Sequence, residues 1–135
     1  LKHVKYSSEG GAVANILIID DSPTDVRVFT TLLERAGHRV DAVNNAEDGI
    51  ERVRVTQPDL VIMDVIMPGM NGFQATRTLT RDPATAGVPI VIITTKSMET
   101  DRVWGMRQGA KAFITKPVNE KELLACIDEL LPNAA

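Results

Sequence analysis

The chain predicts an α/β domain: a doubly wound parallel sheet of five strands with five helices. Three observations predict it. Five short apolar runs alternate with five longer segments of helical length. Four of those runs are continuous instead of alternating, the pattern of strands buried on both faces. Reactive side chains fall at the downstream ends of four runs, the end where open α/β sheets bind ligands.

The first run is ILII at 16–19, and SPTDVRVFTTLLERAG follows it. Its apolar positions 26, 29, 32, 33 and 36 form a helical stripe. Ser22 suits the N-cap, Pro23 the first turn, and Gly37 the stop. The second run, HRVDAV at 38–43, is more polar and reads as an edge strand; NAEDGIERVRVT is its helix. The third, LVIM at 60–63, leads through a turn, PGMNG, into NGFQATRTLTRD. The fourth, IVII at 90–93, precedes SMETDRVWGMRQG. These last two helical segments are less amphipathic. The fifth run, AFI at 112–114, is followed by NEKELLACIDELL. There Asn119 and Glu122 have capping-box spacing, and Leu123, Leu124, Ile127, Leu130 and Leu131 share one side. The order βαβαβαβαβα with right-handed crossovers gives a parallel sheet covered on both faces.

The 135 residues suit one core. The expected division is an N-terminal tail over 1–13, broken by Ser7, Ser8, Gly10 and Gly11, and a folded domain over 14–133. A net charge of −3 argues against wrapping nucleic acid or binding an anionic membrane. No apolar run approaches the roughly 18 residues of a membrane span. The single cysteine, Cys126, leaves no intramolecular disulfide to form, which suits the cytoplasm. Its place among helically spaced apolar residues reads as core.

The strand ends carry the chemistry. The first run ends in Asp20-Asp21, the third in Asp64, the fourth in Thr94-Thr95, and the fifth in Thr115-Lys116. In a parallel sheet these side chains share one rim. Carboxylates about 4 Å apart, at an effective dielectric near 20, repel by on the order of 4 kcal/mol per pair. Either one carboxylate takes up a proton, or a divalent cation binds between them. All-oxygen ligands suit magnesium or manganese. Zinc fits poorly for lack of a Cys/His cluster, since His3 and His38 lie elsewhere. A magnesium site beside Lys116 and Thr94 is a place for a phosphoryl group, with Asp64 as nucleophile.

IIDDSPTD, VIMDVIMPGMNG, IVIITTK and AFITKPV, in that order and spacing, resemble the receiver domain of bacterial two-component response regulators. The resemblance covers nearly all of 15–131. It implies a flavodoxin-like sheet of order 2-1-3-4-5. Asp64 would accept a phosphoryl group from a histidine of a sensor kinase. Asp21 would coordinate Mg²⁺ directly, Asp20 partly through water, and the backbone carbonyl of Ile66 would add a ligand. Lys116, before a cis Pro117, would pair with a phosphoryl oxygen. Thr94 and Phe113 would switch, and the surface of the fourth helix, fifth strand and fifth helix would meet an unidentified output protein. The segments NGFQATRTL, ITTKSMETDRVWGMRQGA and ITKPVNEKELL are similar to single-domain receivers of twitching motility, a chemotaxis-like pathway controlling type IV pili. Other stand-alone receivers with different outputs remain the alternative.

Some positions depart from the family. Thr95 replaces a small apolar residue. Ile66 and Lys96 border the path of the hydrolytic water and should influence phosphate lifetime. Phe113 lacks a hydroxyl, so it can switch by packing alone. Two other functions fit these residues less well. An aspartyl-phosphate phosphatase needs an acid two residues after its nucleophile, where Ile66 stands. The reading is therefore of a phosphoacceptor and not an enzyme, with at most slow loss of its own phosphate. A flavodoxin-type cofactor binder needs a first loop that cradles phosphate, and DDSPTD would repel one. The last run closes near the final residue, so no output domain is expected to follow. Trp104 is read equally as core or as partner-facing, and Arg102, Arg107 and Lys111 as a solvated face.

Overall fold

The computed structural model describes residues 5–6 and 12–131. Its main sheet has five parallel strands: β1 (Asn15–Ile19), β2 (Arg39–Val43), β3 (Leu60–Met63), β4 (Ile90–Thr94) and β5 (Ala112–Thr115), in the order β2-β1-β3-β4-β5. The helices between and after them are α1 (Pro23–Arg35), α2 (Ala46–Thr56), α3 (Gly72–Arg81), α4 (Glu99–Arg107) and α5 (Glu120–Leu130). The sheet thus has the predicted order, with the polar run at 39–43 on its edge.

Alternate residues of each strand serve opposite faces of the sheet. Ile16 and Ile18 of β1, Leu60 and Ile62 of β3, and Val91 and Ile93 of β4 pack with Phe29 and Leu33 of α1 and Leu123 and Ile127 of α5. Their neighbours in sequence, Leu17, Ile19, Val61, Met63, Ile90 and Ile92, pack with Ile50 and Val53 of α2 and Ala75 and Leu79 of α3. Burial on both sides explains the unbroken apolar runs. Each such side chain taken out of water contributes roughly 1.5–3 kcal/mol.

The helix boundaries follow local chemistry. Ser22 caps α1 by accepting from the Asp25 N–H at 3.2 Å, Pro23 opens the helix, and Gly37 ends the turn at φ 94°. Asn45, Asn71 and Asn119 cap α2, α3 and α5. Asn71 and Gln74 form a reciprocal capping box; Asn119 makes the forward bond of the expected one, accepting from the Glu122 N–H. The predicted cis peptide bond joins Lys116 and Pro117.

Two details differ from the sequence-based expectations, the burial of α3 and of Cys126, while α4 is as weakly amphipathic as expected. α3 does have a buried face, but it is made of small residues: Gly72, Ala75 and Thr76 with Leu79. α4 buries only Gly105, whose missing side chain lets it close on Ile92 and Phe113. Cys126 is half-buried at the margin of the α1/α5 core. In the segment expected to be a tail, Lys5–Tyr6 pairs antiparallel with Ala12–Val13. The rest of that segment lies outside the described residues. Ala14 is buried and donates its N–H to His38 Nδ1 at 3.1 Å. No helix among the described residues is long and apolar enough to cross a membrane.

Candidate functional site: an acidic rim at the strand ends

The rim is built by backbone bonds that run one residue past the strands. Asp20 N–H donates to the Val43 carbonyl, Asp64 N–H to Ile19, and Lys116 N–H to Thr94, at 3.1, 2.9 and 2.8 Å. Each strand end is thereby tied to its neighbour, and the three side chains emerge side by side. Asp20, Asp21 and Asp64 each offer a carboxylate oxygen, and these oxygens lie within 4.8 Å of one another. Asp20 and Asp64 are buried, while Asp21 is exposed. The donor set fits a hard dication such as Mg²⁺: it is all oxygen, anionic and open to solvent on one side.

The carboxylate oxygens of the two buried acids meet N–H donors or the Lys116 ammonium. Asp20 Oδ1 accepts from the Ser22 N–H at 2.9 Å, and Oδ2 accepts from Lys116 Nζ at 2.9 Å. Asp64 Oδ1 accepts from the Val65 N–H at 2.8 Å. Lys116 Nζ stands 3.7 Å from Asp64 Oδ2. Thr94 is fully buried at the end of β4, and its hydroxyl faces the Asp64 carboxylate.

The electrostatics follow from that crowding. Burial pushes the Asp64 carboxyl above its ordinary range, and the neighbouring Asp20 charge pushes the same way. Lys116, the Val65 N–H and the Thr94 hydroxyl oppose them without cancelling them. For Lys116, burial alone would lower the ammonium. Hydrogen bonds to Asp25 and Asp20 and the charges of Asp64 and Asp20 outweigh it, holding the group above the usual lysine value.

Of the predicted site residues, the structure brings Asp20, Asp21, Asp64, Thr94 and Lys116 together. Ile66 lies in the loop two residues past Asp64 and is 55% exposed. Phe113 is set back from the rim, half-buried beneath Gly105 of α4. Lys96 lies near the mouth and pairs with Asp101 of α4 at 3.5 Å. Trp104 is 47% exposed, and Met98, Val103 and Met106 are exposed beside it in the chain.

Sequence reasoning missed one participant and gave a second only a secondary role, as part of the PGMNG turn. Asp25 takes the shortest contact of Lys116 Nζ, 2.7 Å. Its signal was its place in the first turn of an expected helix whose cap lies beside the Asp20-Asp21 pair. Gly72 is the second. A Cβ there would lie 2.0 Å from the Asp64 carbonyl oxygen, so α3 can start against the strand end only without a side chain. The PGMNG turn therefore shapes the rim directly.

Comparison with known proteins agrees with this geometry. The model of the response regulator receiver domain matches residues 16–128. Protein PilH of Pseudomonas aeruginosa is 52% identical over 119 residues, covering 88% of this chain and 98% of that protein. The DNA-binding response regulator MtrA of Mycolicibacterium smegmatis is 37% identical over 110 residues, where the match spans only 47% of the relative's length. Among solved structures, chemotaxis protein CheY4 of Vibrio cholerae superposes with a TM-score of 0.82 at 27% identity, covering 89% of this chain and all of that one. The family match over most of the chain, with the strand order and the three-acid rim, makes the chain a member of the response regulator receiver domain family.

Proposed function

We propose that the chain is a phosphoacceptor switch: Asp64 takes a phosphoryl group from a phosphohistidine of a sensor kinase. The observation that carries this reading is the meeting of Asp20, Asp21 and Asp64 oxygens within 4.8 Å, with Lys116 Nζ 3.7 Å from Asp64. In the transfer, an Asp64 oxygen forms a bond to phosphorus. The phosphorus–nitrogen bond breaks, and its electron pair stays on the departing imidazole. Asp20, Asp21, Asp64 and the Ile66 carbonyl would hold Mg²⁺, which when bound neutralises phosphoryl oxygens. Lys116 supplies a second positive charge, and Thr94 a hydrogen-bond donor. Ile66 offers no acid to drive hydrolysis, so loss of the phosphate is slow and the protein turns over no external substrate.

The response passes to a partner protein. Movement of Thr94 toward the phosphoryl group changes the packing of Phe113 under α4, and α4 presents Val103, Trp104 and Met106 to the partner. Similarity to PilH supports a role in type IV pilus twitching motility, through contact with an output protein or by draining phosphate from a shared kinase. No nucleic acid or membrane takes part, and the protein works in the cytoplasm.

The test is incubation with Mg²⁺ and a small phosphodonor, read by intact mass. One acyl phosphate is expected, lost in Asp64→Asn and on chelation of the metal. An Asp64→Asn protein phosphorylated to the wild-type level refutes the assignment.

A further inference from the structure

The Lys116 ammonium is held by more acceptors than a reaction at Asp64 requires. It donates to Asp25 Oδ2 at 2.7 Å and to Asp20 Oδ2 at 2.9 Å, while Asp64 Oδ2 is farther away at 3.7 Å. Asp25 is the third residue of α1, anchored by its own N–H to the capping Ser22. The first turn of a helix favours a negative charge there. One turn further on, Phe29 sets its ring toward the same ammonium, 5.9 Å from Nζ to the ring centre. α1 thus presents a carboxylate and an aromatic face at i and i+4, both engaged by one lysine.

We propose that Asp25 is a positioning residue that holds Lys116 back, competing for its ammonium with the phosphoryl group on Asp64. The proposal rests on the phosphoacceptor reading above. A lysine ammonium has three N–H donors, and two are committed to Asp20 and Asp25. A phosphoryl group on Asp64 brings new anionic oxygens to the same place; the third donor meets one of them, and drawing Nζ in from its 3.7 Å stand-off stretches the contacts it already has. The yielding contact is Asp25. Its side chain is 35% exposed, so water replaces the lost donor, whereas Asp20 is 1% exposed and has no such recourse. Asp25 therefore weakens the phosphorylated state relative to what Lys116 alone would support. It sets the balance of the switch without touching the phosphoryl group.

The test uses the full chain and beryllofluoride as the phosphoryl mimic, at saturating Mg²⁺, with binding read by fluorine NMR. Mg²⁺ affinity is measured separately without the mimic. Asp25→Asn and Asp25→Ser should tighten the mimic about fivefold, the scale of a partly exposed ion pair, and should not tighten Mg²⁺. Asp25→Glu should return the mimic to wild-type affinity. Asp48→Asn serves as the charge control: Asp48 lines the same mouth with Asp20 and Asp21 but bonds to Asn45. It should change mimic binding by less than about twofold. Equal tightening in Asp48→Asn, or unchanged or weaker binding in both Asp25 variants, overturns the competition. A wild-type protein that takes up no beryllofluoride overturns the phosphoacceptor reading itself, and the competition with it.

Discussion

Replacing Gly72 with alanine tests how the rim is built. The added Cβ would sit 2.0 Å from the Asp64 carbonyl oxygen, 2.7 Å from its carbon and 2.8 Å from Val65 Cα. Real Cβ contacts stay beyond 3.0 Å, so helix and strand end must separate by at least about 1 Å. All three obstacles are backbone atoms, so no side chain can swing aside. The helix is also pinned, because Gly72 N–H donates to the Val65 carbonyl at 3.0 Å and the Asn71–Gln74 box fixes its start. Overpacking against such a frame costs about 3 kcal/mol. Better helix propensity returns at most about 1 kcal/mol. The net loss of about 2 kcal/mol lowers the midpoint of thermal unfolding by several degrees. Gly87→Ala is the matched control. A Cβ there meets nothing within 4 Å, and its φ lies outside the left-handed range. It should be neutral or should stabilise by about 0.5 kcal/mol through the unfolded chain. Urea unfolding with an unchanged slope measures both variants. The displacement should also reach Asp64, so Gly72→Ala should bind Mg²⁺ more weakly and Gly87→Ala should not. Equal unfolding midpoints for the two variants would refute the reasoning.

Two further outcomes follow from the titrating groups. In metal-free buffer, Asp64→Asn should raise the urea midpoint. A carboxyl held above its ordinary range costs stability once ionised, so the gain should grow as pH rises through the window between its unfolded and folded values; no gain at neutral pH would contradict the repulsion. His38 is buried and neutral, accepting the Ala14 N–H, and burial lowers its imidazole while Asp128 partly offsets this. The unfolded chain therefore binds the proton first, and stability should fall as pH drops below about 6.5, with a slope of at most about 1.4 kcal/mol per pH unit; a His38→Gln variant that keeps the same slope between pH 5 and 7 would place its origin elsewhere.

Legibility from sequence tracked how local the determining physics was. Continuous apolar runs reported two-sided burial, and side-chain oxygens of Ser22 and Asn119 marked two helix starts by bonds that span three residues. The five rim residues were readable because a parallel sheet places every strand's downstream end on one side, so topology alone brings them together. What escaped notice depends on contacts across the chain. Asp25 and Lys116 are 91 residues apart, and the one local cue, Asp25's place in the first turn beside Asp20-Asp21, does not point to a lysine on another strand. The buried face of α3 was missed because hydropathy does not register Gly72 and Thr76 as core; they are buried for their size. The exposure of Trp104 was left undecided for a related reason. α4 meets the sheet mainly through Gly105, a position with no apolar side chain to mark which face turns inward.

Four carboxylates, Asp20, Asp21, Asp25 and Asp64, gather at the rim, and three of them, Asp20, Asp25 and Asp64, face the Lys116 ammonium. Apolar strands behind the rim hold that excess of negative charge in place, since the β1, β3 and β4 residues leading up to it are buried on both faces. The same excess explains how one covalent event can alter the molecule. A phosphoryl group would add negative charge to a crowded acidic rim, so beside a bound Mg²⁺ the Lys116 ammonium would be shared out again. Lys116 is the side chain positioned to do this, and its movement is resisted from α1 by Asp25 and Phe29 on one side and drawn by Asp64 on the other. Redistribution at the rim is thereby coupled to α1 through direct contacts of Lys116, while Thr94 lies one strand from Phe113 and the exposed face of α4. Two routes then lead outward from Asp64, and substitutions at Asp25 and at Phe113 should perturb the switch independently.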